Sequence, residues 1–427
     1  MDQGKRTLTA EDLYELKTLS ACQISPDGSE IIYTLQTVEK ESEKKFTHLW
    51  QVPSAGGKPV QLTFGKHSNT SPKWSPDGKW IAFLSNRQNS EQSQIFLLPT
   101  SGGEGRPLTD LHGDISNFDW SPDSKKIVFQ FRQHDPEDIE MQEDEHKKEL
   151  GRVYRRVENR IFYKLDAYGY LPKARYHLWL IDIETKEAEQ ITESDMHDEV
   201  CPVWAPDGEV IAFFSNRTDQ PDLHPDEIDL FLYDLAEKRI EKIETPIGPK
   251  YHASFSPDAS KIAYLGHEDL NKDYKNSEVW VVERGKAGSA RSLTAEFDID
   301  VGDGIINDVG SFIGRPPAWS SDGKHLFFQV GRHGRATLNC VGVDDGQLDT
   351  LIKFDGVVSA FSVDQATEKI AYIHGTMADP GQIAVYDFAS KEIEVLTTIN
   401  QDLFANIDLG SLEEVWFKGA AGNDLQG

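Results

Sequence analysis

Trp74-Ser75-Pro76-Asp77-Gly78, followed one residue later by Trp80-Ile81-Ala82-Phe83-Leu84, is the stretch on which the fold turns. Proline presets φ for the first corner of a turn, aspartate bonds its own backbone, and glycine accepts positive φ, so the pentapeptide reads as a tight hairpin connection. The apolar run behind it reads as a strand buried on both faces. Working outward, the signature recurs at Ile24-Ser25-Pro26-Asp27-Gly28, Trp120-Ser121-Pro122-Asp123-Ser124, Trp204-Ala205-Pro206-Asp207-Gly208 and Phe255-Ser256-Pro257-Asp258-Ala259. Looser copies stand at Trp319-Ser320-Ser321-Asp322-Gly323 and Phe361-Ser362-Val363-Asp364.

A second hairpin closes each unit, as where Gln94-Ile95-Phe96-Leu97-Leu98 turns through Ser101-Gly102-Gly103 to Arg106-Pro107-Leu108-Thr109. Four strands per repeat make a propeller blade. The anchors at 24, 74, 120, 204, 255, 319 and 361 are 50, 46, 84, 51, 64 and 42 residues apart, a base period suited to such a blade. The expected fold is all-β: a seven-bladed β-propeller of four-stranded antiparallel blades over residues 21–400, with no strand exchanged to close the ring. Ahead of it, in residues 1–20, Thr9-Ala10-Glu11-Asp12 has the capping-box pattern with Leu13, Leu16 and Leu19 behind it, which predicts a short amphipathic helix.

In an up-and-down blade, the turns joining strands one to two and three to four emerge on one face. The two-to-three loops and the crossings between blades emerge on the other. The long insertions, at about 132–176, 216–228, 266–277 and 295–315, all read as belonging to the second set. One face is therefore expected to be elaborated, and that face to meet a partner or substrate. The largest insertion opens with a charged run from His134 to Glu149 and continues through Tyr154-Arg155-Arg156, Arg160-Ile161-Phe162-Tyr163 and Tyr168-Gly169-Tyr170, too aromatic for a purely solvated loop.

Asp and Glu outnumber Lys and Arg by 72 to 44, and a formal net charge of −28 repels phosphate backbones, so nucleic acid is not an expected partner. Mean hydropathy of −0.52 and the lack of a long apolar run argue against a membrane span, and the start carries no apolar leader, which leads to an expected cytoplasmic location. Cys22, Cys201 and Cys340 are odd in number and widely spaced, and read as buried thiols without a zinc site.

The chain contains no G-x-S-x-G, Walker loop, dinucleotide fingerprint, H-E-x-x-H or D-x-D-x-D-G calcium loop. No cofactor, metal or catalytic residue is expected. His67, His112, His197 and His252 lie just before inner strands and read as repeat-equivalent structural residues. His197-Asp198-Glu199 and the Asp300–Asp308 stretch read as acidic loops before they read as metal ligands. Ser85-Asn86-Arg87 recurs as Ser215-Asn216-Arg217 after near-identical strands, a shared loop cap.

Several segments together resemble the propeller of acylaminoacyl-peptidase-like members of the prolyl oligopeptidase family. They are the approach to Gln23-Ile24-Ser25-Pro26-Asp27-Gly28, the Trp-Ser-Pro-Asp-Gly turns, Asp166-Ala167-Tyr168-Gly169-Tyr170 before His177-Leu178-Trp179-Leu180, and Gly314-Arg315-Pro316-Pro317-Ala318-Trp319. The resemblance covers essentially the whole chain. Residues 401–427, with Glu413-Glu414-Val415-Trp416-Phe417-Lys418-Gly419, resemble the strand by which such enzymes pass into an α/β-hydrolase domain.

The resemblance implies a serine peptidase whose triad lies in that hydrolase domain, so no catalytic residue carries over and the chain alone is expected to be inactive. It implies a non-catalytic role: gating access to the active site, admitting short peptides and contributing to their binding. Some relatives hold a substrate amine with glutamates of propeller insertions; Glu158, Arg160, Tyr163 and Tyr168 are the candidate substrate contacts here. The expected partners are the hydrolase domain and short peptides, with self-association left open. The rival reading is a free-standing propeller that binds proteins or peptides. A propeller glycosidase would need paired carboxylates around the channel, and the turns here are not the Asp-box of sialidases.

Overall fold

The computed structural model describes residues 4–427 apart from 90–91, 136–138, 140–143, 145, 147–160, 167–168, 273 and 303–313. The turn signature sets the architecture locally. In Ser75–Gly78 the Ser75 hydroxyl donates to Asp77 at 2.6 Å, the Lys79 amide donates to the same carboxylate at 3.1 Å, and Gly78, at φ 70°, returns its N–H to the Ser75 carbonyl at 2.9 Å. The Trp80 amide then donates to Ser75 Oγ at 3.0 Å, which starts the second strand. The same bonds recur around Ser25, Ser121, Ser256 and Ser320.

The copy near 361 sits two residues later than its sequence signature places it. The turn there is Asp364–Thr367, with Asp364 Oδ1 accepting from the Glu368 and Lys369 amides at 2.8 and 3.0 Å. One aspartate at the serine position does the work that serine and aspartate share elsewhere.

Each turn joins an inner strand to a second strand in a meander. The result is five four-stranded antiparallel sheets and one nine-stranded sheet. The inner strands of the first five are Thr18–Ile24, Asn69–Trp74, Gly113–Trp120, Val200–Trp204 and Lys250–Phe255. In the nine-stranded sheet, the strands up to Leu348–Ile352 and the four from Val357–Val363 onward are linked by a lone parallel pair, Ala336 with Val357. Second strands such as Val210–Ser215 are buried throughout because sheets cover both their faces, whereas fourth strands such as Ala188–Gln190 are exposed and polar, which protects an open edge from pairing with other chains.

The core is divided by seam. Ile81, Phe83 and Phe96 of the second sheet pack on Ile32 and Leu49 of the first; Phe213 and Phe231 of the fourth pack on Val128 and Leu178 of the third. The first sheet also packs on the last strands, through Leu19, Cys22 and Tyr33 against Ala371, Ile373 and Val385. No strand is shared there. The Ile24 amide donates to Ser362 Oγ at 3.3 Å and the Gln365 amide to the Pro26 carbonyl at 3.3 Å.

The N-terminal segment corrects the sequence expectation. The capping box around Thr9 and Asp12 forms, but it heads only a five-residue 3-10 helix, Ala10–Tyr14. Leu19 belongs instead to the strand Thr18–Ile24 and packs in the closing seam, while Leu13 stays 56% exposed. Burial in the seam outweighs the local helical spacing. Among the described residues no helix is long and apolar enough to cross a membrane.

Candidate functional site

The meander fixes which connections share a face. Three of the expected insertions join second to third strands: Gln133 to His177, Ser215 to Asp229, and Gly266 to Glu278. They emerge with the crossings between sheets on what we call the loop face; the serine turns lie on the opposite, turn face. Both chain ends belong to the loop face as well, because the chain enters the first inner strand and leaves the last fourth strand there. Large exposed apolar side chains concentrate on it, among them Phe64, Met196, Leu223, Ile247, Tyr274 and Met377. Among the described residues none of the large exposed apolar side chains sits in a turn of the opposite face.

The fourth insertion lies elsewhere than expected. Asp300–Val301 and Ala318–Trp319 both pair with His325–Arg332 on the same side, so residues 302–317 interrupt an inner strand instead of bridging two sheets. Other inner strands carry a bulge at this level, at Ser71, Cys201 and His252, each with positive φ. Gly314 lies so close to the His252 ring that a β-carbon would collide with it. Burial, helped by the Arg315 charge, pushes the His252 imidazole down to about 4; burial pushes the Cys22 thiol up to about 12, with Arg315 opposing. Arg315 thus acts on residues of both the first and the fifth sheets.

At the loop-face ends of successive inner strands stands a set of paired polar residues. In the second sheet Arg87 lies over Phe83 and Phe96 and donates to Asn69 Oδ1 at 3.0 Å. In the fourth, Arg217 lies over Phe213 and Phe231 and donates to Glu199 at 2.7 Å. The repeated Ser-Asn-Arg is thus a cap, as its recurrence suggests, whose partners come from the adjoining inner strand. Glu199 is fully buried and also accepts from His177 Nδ1 at 2.6 Å and Thr192 Oγ1 at 3.1 Å. In the third sheet His134 takes the arginine's place and meets Asp114 at 3.0 Å, while Arg132 meets Asp114 at 2.7 Å and lies over Tyr176. Burial opposes the charge on Asp114, but the bonds from His134 and Arg132 outweigh it and hold its carboxyl below the ordinary range. Arg175 meets Asp198 at 3.0 Å. In the fifth sheet Lys250 donates to the carbonyls of Ile228 and Gly248, and burial lowers its ammonium to about 8.

His134 opens the largest insertion and His177 closes it, so this girdle clamps both of its ends. Each of its carboxylates, Asp114, Asp198 and Glu199, is matched by an arginine, which suits positioning. Asp198 and Glu199, read from sequence as an acidic loop, are the inner halves of these pairs. Among the described residues no three His, Cys, Asp or Glu side chains gather as a metal site. Of the sequence candidates for substrate contact, Glu158, Arg160 and Tyr168 lie outside the described residues. Tyr163 is described; its side chain is 54% exposed and its carbonyl accepts from the Leu171 amide. The signal for the girdle was present in the repeated Ser-Asn-Arg, but its partners lie in other strands.

A family model for the TolB beta propeller domain matches residues 7–152. The uncharacterized peptidase YuxL of Bacillus subtilis (strain 168) is 30% identical over 330 residues, covering 76% of this chain and 48% of that protein. The chain thus spans about half the length of this relative. Among solved structures, the acylaminoacyl peptidase of Pyrococcus horikoshii superposes with TM-score 0.75 at 18% identity, over 99% of this chain and 59% of the other. The β-propeller domain of the Trilobed protease from Pyrococcus furiosus, described as having an open velcro topology, superposes with TM-score 0.62 at 17% identity, over 92% of this chain and 99% of that one.

Proposed function

We propose that this chain, a β-propeller of the prolyl oligopeptidase family of peptidases, is the non-catalytic part that gates substrate access to an α/β-hydrolase domain. The observation that carries the reading is the loop face: both chain ends, the second-to-third insertions and the large exposed apolar side chains all belong to it. A catalytic domain continuing from either end would meet that face first and cover its apolar residues.

In this reading the ring has seven blades. Five are the four-stranded sheets, and the nine-stranded sheet counts as two because a lone parallel pair links its parts. The propeller spans residues 21–400 and the tail 401–427 leads toward the hydrolase. The insertion between His134 and His177 supplies Glu158, Arg160, Tyr163 and Tyr168 as substrate contacts. The propeller restricts entry to short peptides.

The test is hydrolysis of acyl-aminoacyl and dipeptidyl chromogenic substrates by the purified chain, with and without a separately produced hydrolase domain. Inactivity alone and cleavage on mixing support the proposal. Activity of the chain alone refutes it, and inactivity in both arms shifts the reading to a free-standing binding propeller.

A further inference from the structure

The two Ser-Asn-Arg caps match group by group except at one residue. In the fourth sheet the Leu178 amide donates to Thr192 Oγ1 at 2.8 Å, and Thr192, His177 and Arg217 converge on Glu199. In the second sheet the Leu49 amide donates to Thr63 Oγ1 at 2.9 Å. There His48 Nδ1 lies 3.5 Å from Thr63 Oγ1 and 3.3 Å from Asn69 Nδ2, and Arg87 Nη2 donates to Asn69 Oδ1 at 3.0 Å. The threonine, the histidine, the arginine and the two phenylalanines under it recur; the acid is replaced by the amide Asn69. An amide accepts the bond but brings no charge. Among the described residues Arg87 is therefore in no ion pair, although burial disfavours the charge it carries.

The guanidinium is held in one orientation and keeps a free donor. It lies over Phe83 and Phe96, Nε donates to Ser85 Oγ at 3.1 Å and Nη2 to Asn69, whereas Nη1 has no acceptor among the described residues. Arg87 is half-buried and its Nη1 keeps contact with solvent, whereas Nε of Arg217 is enclosed by protein. His48 and His67 stand nearby, but burial, with the Arg87 charge adding to it, holds both imidazoles below their ordinary value. The charge open to a ligand is that of Arg87.

We propose that Arg87 binds the C-terminal carboxylate of a peptide. The carboxylate accepts from Nη1 on the solvent side and supplies the charge that Glu199 supplies to Arg217. Guanidinium and carboxylate form strong, directional bonds, and an arginine already fixed by two bonds and two aromatic faces loses little freedom in making another. The class of ligand follows from the repeat, because the same threonine, histidine and arginine take a carboxylate in the fourth sheet. That the carboxylate belongs to a peptide rests on the reading of the loop face as the face that meets substrate. Peptides with a blocked C terminus lack this contact.

Isothermal titration of the chain alone compares acetyl-Leu-Ala, whose C terminus is free, with acetyl-Leu-Ala-amide and with acetyl-Leu-Glu-amide, whose carboxylate is a side chain. The free acid is expected to bind, and both amides to bind about tenfold more weakly or less, from the typical worth of a charged hydrogen bond. Arg87→Gln should weaken the free acid by about tenfold to a hundredfold. Asn69→Glu gives Arg87 an internal carboxylate where Glu199 stands in the other cap, so it should raise the melting temperature and abolish binding. Thermal melting verifies that each variant is folded, and Arg87→Gln decides the matter if Asn69→Glu does not fold. The titration needs no hydrolase domain, so its failure is distinct from a failure of the mixing assay that tests the gating role. No binding of the free acid, equal binding of either amide, or native affinity in either folded variant would each overturn the assignment.

Discussion

Asn400 clasps the backbone of Lys17 from the far end of the chain: the Lys17 N–H donates to Asn400 Oδ1 at 2.9 Å, and Asn400 Nδ2 donates back to the Lys17 carbonyl at 2.8 Å. The first inner strand begins one residue after Lys17, and the last sheet ends at Val395. A parallel pair, Arg6–Thr7 with Ile407–Asp408, extends the clasp outward. The first sheet and the last strands are therefore held together by side-chain recognition of backbone, in addition to the packing of Leu19 and Cys22 against Ala371, Ile373 and Val385.

Asn400→Ala loses both bonds and places alanine at φ 62°, a left-handed conformation that asparagine tolerates better. Destabilisation of about 2 kcal/mol is expected. Asn400→Gly loses the bonds but keeps the conformation accessible, so it should cost less. Urea unfolding of the two variants measures the difference, and equal stability to the native chain would show that the clasp contributes nothing.

Glu199 is the buried centre of the loop-face girdle, with His177, Thr192 and Arg217 directed at it. Glu199→Ala leaves the Arg217 charge and the His177 ring without their carboxylate, and removing one partner of a buried pair typically costs about 3–5 kcal/mol. Equilibrium unfolding should show a loss of that order. A change below about 1 kcal/mol, within the range of an exposed pair, would show that water replaces the carboxylate.

Trp120 and Trp204 provide an internal comparison. Trp120→Phe removes a bond to the Lys73 carbonyl, whereas Trp204→Phe removes an indole N–H that has no partner among the described residues. Both lose the same ring volume. Trp120→Phe should therefore be the more destabilising by about 1 kcal/mol in urea unfolding, and the reverse order would contradict the seam geometry.

His252 should titrate near pH 4 in the folded chain, because burial, with Arg315 beside it, disfavours its charged form. Its folded pKa lies below the ordinary value of 6.5, so the unfolded state takes up the proton first on acidification. The associated stability is fully present above pH 6.5 and is lost as pH falls toward 4. NMR titration of the ring checks the midpoint, and Arg315→Gln should raise it. A native midpoint near 6.5 would mean that the ring is open to water.

The fold was legible because the turn chemistry is local: serine, proline, aspartate and glycine specify the hairpin within five residues, and the apolar run behind it needs only to be counted. Where the signature decays, local reading slips. Phe361-Ser362-Val363-Asp364 looks like a worn copy of the motif, but the turn is formed by Asp364–Thr367, whose register follows from pairing with Lys369–Thr376. In the same way Leu13, Leu16 and Leu19 show helical spacing, yet burial in the closing seam takes Leu19 into a strand.

The sequence by itself determined the all-β meander, the serine turns and the shared face of the three second-to-third insertions, because connection lengths and alternation of direction are properties of the chain order. Only the tertiary structure decided that residues 302–317 break an inner strand, that Ser-Asn-Arg reaches back to Asn69 and Glu199, and that Trp204 lacks the seam bond its counterparts make. Each of these depends on which strand lies beside which, and on how two sheets meet, where partners distant in the chain satisfy or fail to satisfy a buried polar group.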